Sequence, residues 1–228
     1  MPDLDFSVVG VEPLPFSASP SLVFKLNIAE AGSNFGEIRE EMEATPIAAI
    51  ALRCQIRIEP TRRGYEPPEQ EGLHDLFGQP HRWGDTLHSM LWTHLSLVTP
   101  PFEGQTIVDM PVPCTFDFNV AATKYFDALA GGDVPLCFYF SGTIFHTDPE
   151  GSLTIEQISW EKEARFRLPV RVWRAMMDHY YPNGCWLNLH RDVFDRLARY
   201  KSRRCLTTWE QALETLLETV EAEERVPS

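Results

Sequence analysis

Residues Ile47–Glu59 read IAAIALRCQIRIE, and their alternation decides the fold class. Ala48, Ile50, Leu52, Cys54, Ile56 and Ile58 fall on one side of an extended chain, while Arg53, Gln55, Arg57 and Glu59 fall on the other. Successive side chains of a strand point to opposite faces, so this is a long strand with one dry and one wet side. A wet side marks an antiparallel sheet, because parallel strands are covered on both faces and read as continuous apolar runs.

The same period continues outward. Leu22, Phe24, Leu26 and Ile28 oppose Lys25 and Asn27. Further strands are expected at Phe6–Val11, Met90–Thr99, Gln105–Val112, Cys114–Phe118, Leu136–Thr147, Leu153–Trp160 and Ala164–Leu168. Asp148–Gly151 and Pro100–Gly104 read as hairpin turns. The proline-rich stretches Pro13–Pro20 and Pro67–Pro80 cannot pair as central strands. Ala31–Glu43 reads as a loop or a short exposed helix.

One helix interrupts the strands. Ala121, Ala122, Tyr125, Phe126 and Leu129 share a helical face, and Gly131-Gly132 ends it. Past Pro169 the period changes to that of a helix. Val172, Trp173, Met176, Met177 and Tyr180 make one stripe, stopped by Pro182-Asn183-Gly184; Val193, Phe194, Leu197 and Tyr200 make a second. Thr207 and Glu210 have capping-box spacing ahead of a third stripe, Trp209, Ala212, Leu213, Leu216, Leu217 and Val220. Strands followed by helices give an α+β fold. The expected architecture is an antiparallel β-sandwich or curved sheet over residues 1–168, with one inserted helix at about 120–130. A C-terminal helical cap, 169–228, packs on it to form a single compact unit.

The chain has 228 residues and a formal charge of −13, which disfavours nucleic acid and anionic lipid as partners. The charge is segregated: Glu161–Arg204 has a balance of +6 and Cys205–Ser228 a balance of −5. The five cysteines include no C-x-x-C pair, Met1-Pro2-Asp3 does not open a secretion signal, and no apolar run reaches membrane-spanning length. These features point to a reducing cytoplasm.

Searches for catalytic signatures fail: the chain lacks G-x-G-x-x-G, a Walker loop, G-x-S-x-G and H-E-x-x-H. His74, His81, His88 and His94 cluster in sequence, with Asp75 and Asp85 nearby, but at spacings that do not make ligands converge on one helix or strand face. They are the alternative metal- or small-molecule-binding region; no cofactor is expected. Cys185 lies in a turn; as a nucleophile it would need a partner base, and His179 is on the preceding helix. The arginines form the clearer group. Arg165 and Arg167 alternate with Ala164, Phe166 and Leu168 and so share the exposed side of a strand; Arg171, Arg174, Arg203 and Arg204 follow. Guanidinium forks suit carboxylates at interfaces, so these six are the partner-binding candidates. The competing reading is internal pairing with the acidic final helix.

Several segments carry a resemblance: Val120–Leu129 (VAATKYFDAL), Val134-Pro-Leu136, Phe140–Phe145 (FSGTIF), Leu168–Arg174 (LPVRVWR), Tyr181–Leu187 (YPNGCWL) and Trp209. Together they resemble an uncharacterised bacterial family of about this length, whose members are often encoded beside high-affinity, actinobacterial-type uptake NiFe hydrogenases. The resemblance implies a partner context and no catalytic residues. The resulting expectation is a non-enzymatic cytoplasmic accessory or assembly protein that binds another protein, such as a hydrogenase subunit or maturation factor.

Overall fold

The computed structural model describes residues 3–31, 45–118, 120–148, 150–184 and 187–224. The chain divides into two units, Met1–Trp186 and Leu187–Ser228. The helix after Pro169 lies in the first unit, with the strands.

The first unit contains β1 (Leu4–Pro13), β2 (Ser21–Glu30), β3 (Pro46–Ile58), β4 (Met90–Val98), β5 (Phe102–Glu103), β6 (Gln105–Pro113), β7 (Asp133–Thr147), β8 (Leu153–Gln157) and β9 (Glu163–Pro169). They form a three-stranded sheet, β1-β2-β6, and a six-stranded sheet, β4-β3-β7-β8, with β5 on β3 and β9 on β7. Every pairing is antiparallel. The sheets meet through aromatic side chains. Phe6 of β1 stacks on Phe140 of β7 at 4.8 Å, and Phe24 of β2 stands edge-on to Phe138 of β7 at 5.2 Å. The fold is α+β, with a sandwich of open, non-closed sheets.

β3 shows how sequence becomes layer. Ile50, Leu52, Cys54, Ile56 and Ile58 are buried and Arg53 is exposed, as the alternation requires. At its start the register against β7 shifts between Ile47 and Ala49. The bulge adds a residue, so Ile47 rather than Ala48 enters the core.

β7 is the spine of the larger sheet. One edge pairs with β3; along the other, Thr143–Thr147 pairs with β8 and Asp133–Tyr139 with β9. The two ladders meet near Gly142, whose φ is +142°, and a Cβ there would overlap the Ala51 carbonyl oxygen. Ile158 donates its N–H to Gly142 O and Phe140 donates to Lys162 O, both at 3.0 Å. These bonds close the turn that carries Trp160.

Two strand-level expectations are corrected. Pro100–Gly104 is not a hairpin turn, because β4 and β6 lie in different sheets. The segment crosses between them, giving β5 to β3 on the way, and Glu30 N–H bonds to Gly104 O at 2.9 Å. Cys114–Phe118 does not continue as a strand. After Pro113 the chain turns inward so that Phe116 stacks on Tyr181 at 5.3 Å and packs on Trp173. Aromatic burial there outweighs extension of an edge ladder.

The connection from β3 to β4 folds into short helices, α1 (Pro67–Gly72), α2 (His74–Phe77) and α3 (Trp83–Thr86). Its anchor is Glu69. The carboxylate accepts from Arg63 Nη2 at 2.9 and 3.0 Å, from Ala130 N–H at 2.8 Å and from Glu66 N–H at 3.2 Å. Beside it Tyr65 and Tyr125 share a hydroxyl hydrogen bond of 2.8 Å.

α4 (Ala121–Ala128) buries Tyr125 and Phe126. α5 (Val170–Tyr180) buries Val170, Trp173, Met176 and Met177 and packs on β1, β2 and β9. Phe126 and Trp173 stack at 5.4 Å, joining the two helices.

The second unit holds α6 (Arg191–Arg203) and α7 (Trp209–Glu224). Its capping box lies one residue later than the spacing of Thr207 and Glu210 predicts. Thr208 Oγ1 accepts from Gln211 N–H at 3.2 Å, and Gln211 Oε1 accepts from Thr208 N–H at 3.4 Å. Glutamine serves at the third helical position as well as glutamate. Trp209 packs its ring 5.2 Å from Phe194. The readings placed on Cys185, on Trp186 and on nearly all of Ala31–Glu43 lie outside the described residues. Among the described residues no helix is long and apolar enough to cross a membrane.

Candidate functional site

The outer face of the six-stranded sheet is assembled from rows that the register sets side by side. One row runs His94, Gln55, Tyr139 and Glu163 across β4, β3, β7 and β9; the next runs Leu91, Arg57, Cys137 and Arg165. Toward the other end of the sheet the rows become apolar. Val98 stands beside Ala51, and Ala49, Phe145 and Ile155 stand in line, with Leu153 beyond. Val98, Leu153 and Ile155 are exposed although they lie on strands. The face therefore has an arginine-rich half and an apolar half.

The arginine-rich half has two hollows. The first, about 380 Å³, is lined by Arg53, Gln55, His94, Ser96, Tyr139 and Trp160. Trp160 is 90% exposed, held out by the β8–β9 turn. The second, about 260 Å³, is lined by Glu59, Arg62, Cys137, Arg165 and Arg167. Arg57 is occupied by Ser89, through Oγ at 2.8 Å and O at 3.0 Å, and Ser89 donates to Glu59 at 2.7 Å. Arg165 bonds Glu163 at 3.0 Å. Among the described residues the guanidinium groups of Arg53 and Arg167 have no hydrogen-bond or ion-pair partner. Two unpaired guanidinium groups thus flank Tyr139 and Cys137, ready for carboxylates.

The titrating groups under this face are shifted toward their neutral forms. A hydrogen bond to Cys137, reinforced by burial, pushes the Tyr139 hydroxyl up to about 12. Burial raises the Cys137 thiol as well. Cys54, beneath the face, and Cys114 are pushed up to about 12, chiefly by burial. A thiol so raised stays protonated at neutral pH and is a poor nucleophile.

The candidates read from sequence fall into three places. Arg165 and Arg167 sit on this face, exposed as their alternation predicts. Arg171 and Arg174 sit on α5, where Arg174 donates to Leu129 O and so serves the fold. Arg203 and Arg204 belong to the second unit, in a hollow with Arg196, Arg199 and Tyr200. Sequence reading did not single out Arg53, Tyr139 or Trp160. The available signal for Arg53 was its place on the wet side of Ile47–Glu59.

The four histidines of the alternative reading lie on different elements. His74 opens α2, His81 lies in the turn Pro80–Arg82, His88 precedes β4, and His94 is on the outer face of β4. Among the described residues no three His, Cys, Asp or Glu side chains gather closely enough to hold a metal ion. Intervening helical turns point neighbours in sequence in different directions. His146, the buried histidine, lies toward the apolar end of the sheet, with Nε2 3.4 Å from Glu156.

The chain belongs to the family described as "Family of unknown function (DUF6084)", which it matches over residues 1–225. No curated protein matches it. Among solved structures it is similar to a protein described as late embryogenesis abundant (LEA). Their identity is 12%, with 74% of this chain and 73% of that chain covered and a TM-score of 0.30. It is similar also to a protein from Bordetella pertussis described as ApaA, at 13% identity, with 73% of this chain and 93% of that chain covered and a TM-score of 0.22. Neither likeness is close enough to carry an argument.

Proposed function

We propose that this protein is a non-catalytic accessory factor that docks an acidic partner protein on the outer face of its larger sheet. The observation that carries the reading is the composition of that face. The guanidinium groups of Arg53 and Arg167 are without partners, Tyr139 and Trp160 stand out beside them, and Val98, Leu153 and Ile155 adjoin. Tryptophan, tyrosine and arginine are the residues that dominate protein interfaces. Guanidinium groups recognise planar carboxylates, and exposed aliphatic side chains supply area that a partner removes from water. A partner with carboxylates opposite the arginines and an apolar patch beside them fits both halves. The resemblance to proteins encoded beside NiFe hydrogenases makes a hydrogenase subunit or maturation factor the first partner to try.

The test is co-purification from native extract with wild type and with the double variant Arg53→Glu, Arg167→Glu. The wild type should retain one acidic protein whose capture weakens as salt rises and falls about tenfold or more in the variant. Trp160→Ala should weaken it as well. Recovery of the chain alone under gentle, low-salt conditions would sink the reading, as would capture indifferent to all three substitutions.

A further inference from the structure

The second unit buries Ala212 and leaves most of its larger apolar side chains exposed. α6 holds no buried residue. Along α7, Leu213, Leu216, Leu217 and Val220 have the spacing of one helical stripe, and all four are exposed, Leu217 by 62%. The helices meet where Trp209 contacts Phe194 and Lys201 Nζ stands 5.5 Å over the Trp209 ring.

Charge is divided between the same two helices. α6 and the following Arg204 carry six cations against Asp192 and Asp195, whereas α7 carries six glutamates and no cation. Internal pairing between them is the ordinary expectation. Yet among the described residues none of the nine ion pairs joins α6 to α7. Arg196, Arg199, Arg203 and Arg204 instead surround an open hollow of about 420 Å³, where Arg204 lies over the Tyr200 ring at 5.7 Å. Glu210, Glu214 and Glu218 repeat every fourth residue, a like-charge ladder that destabilises an isolated helix.

We propose that the second unit is a self-association module. Two copies pair about a twofold axis, with α7 of each laid along α6 of the other. The leucine stripes are covered, and each glutamate ladder meets the other copy's arginine hollow. A twofold interface requires one patch that complements itself. An apolar stripe flanked by a basic helix and an acidic helix is such a patch. A uniformly acidic protein would match the arginines and be repelled by the glutamates, and so would a nucleic acid. This association is independent of the sheet face.

Sedimentation equilibrium of the full chain tests it. At low salt the mass should rise toward twice 26.1 kDa, with loading across about 1–100 µM, the range of micromolar dissociation constants. Salt near about 0.5 M should weaken the dimer about tenfold or more. Glu214→Arg with Glu218→Arg, and separately Arg196→Glu with Arg199→Glu, should each give monomers, and mixing the two variants should restore the dimer mass. Leu217→Ser should weaken association about tenfold, and it carries the test if a charge-reversed chain loses its helical circular-dichroism signal. A full chain that stays monomeric at the highest loading overturns the proposal. So does a dimer that survives each charge reversal, or folded variants that remain monomeric when mixed.

Discussion

The two units place similar side chains in opposite environments. In the sheet unit Phe24, Leu26, Ile50 and Ile56 are fully buried between facing layers. In the helical unit Phe194, Leu213, Leu216 and Leu217 face water. A sheet covers its apolar face with another sheet inside one chain. The two helices meet at Trp209 and Phe194, and the leucine stripe of α7 stays exposed. An apolar residue therefore stabilises the fold in the first unit and marks a surface awaiting cover in the second.

Paired truncations break or sharpen that contrast most directly. Phe24→Ala should lower stability by about 3–5 kcal/mol, because a buried ring leaves a cavity. Leu217→Ala should cost under about 1 kcal/mol in dilute protein, as surface changes do. Urea unfolding followed by circular dichroism measures both, and equal losses would erase the distinction.

Polar residues show the same division within the first unit. Glu69→Gln strips the charge from a carboxylate whose side chain is 4% exposed and should cost about 3 kcal/mol, because Arg63 stays buried without its counter-ion. Asp109→Asn, at the exposed pair with Lys25, should cost under about 1 kcal/mol. Denaturant midpoints for the two variants give the comparison.

A smaller effect comes with pH. Tyr139 is raised from 10.0 to about 12 and Cys54 from 9.0 to about 12. Both are acids whose neutral form the fold prefers. Between these limits the unfolded chain releases protons that the folded chain retains, so stability falls as pH rises through about 9 to 12 and is unaffected at neutrality. Urea midpoints measured between pH 8 and the alkaline limit should show the decline, and Cys54→Ala with Tyr139→Phe should lessen it, the raised Cys114 thiol still contributing.

Strand positions were legible because period two survives in each buried face: Ile50, Leu52, Cys54, Ile56 and Ile58 of β3 lie where the alternation puts them. The assignment of each strand to its sheet was not. Pro100–Gly104 has the composition of a hairpin turn, and only long-range pairing decides that β4 and β6 part there. The site was half legible for the same kind of reason. Arg165 and Arg167 stand out because they alternate with apolar residues. Arg53 has the same local pattern, but only the register brings it against Tyr139 and Trp160. The four histidines, close in sequence, lie on separate short elements, as their spacing suggests.

Gly142 links the architecture to the arginine-rich face. Its open backbone angle lets a single strand hand its free edge from one neighbour to the next, and the turn holding Trp160 is tied to both sides of that handover. A methyl group at this position would force the Ala51 carbonyl aside at the centre of the sheet. Natural variation should therefore be coupled across the chain: relatives that keep Trp160 and Arg53 should keep glycine at 142, and those that have lost the glycine should have remodelled the whole surface.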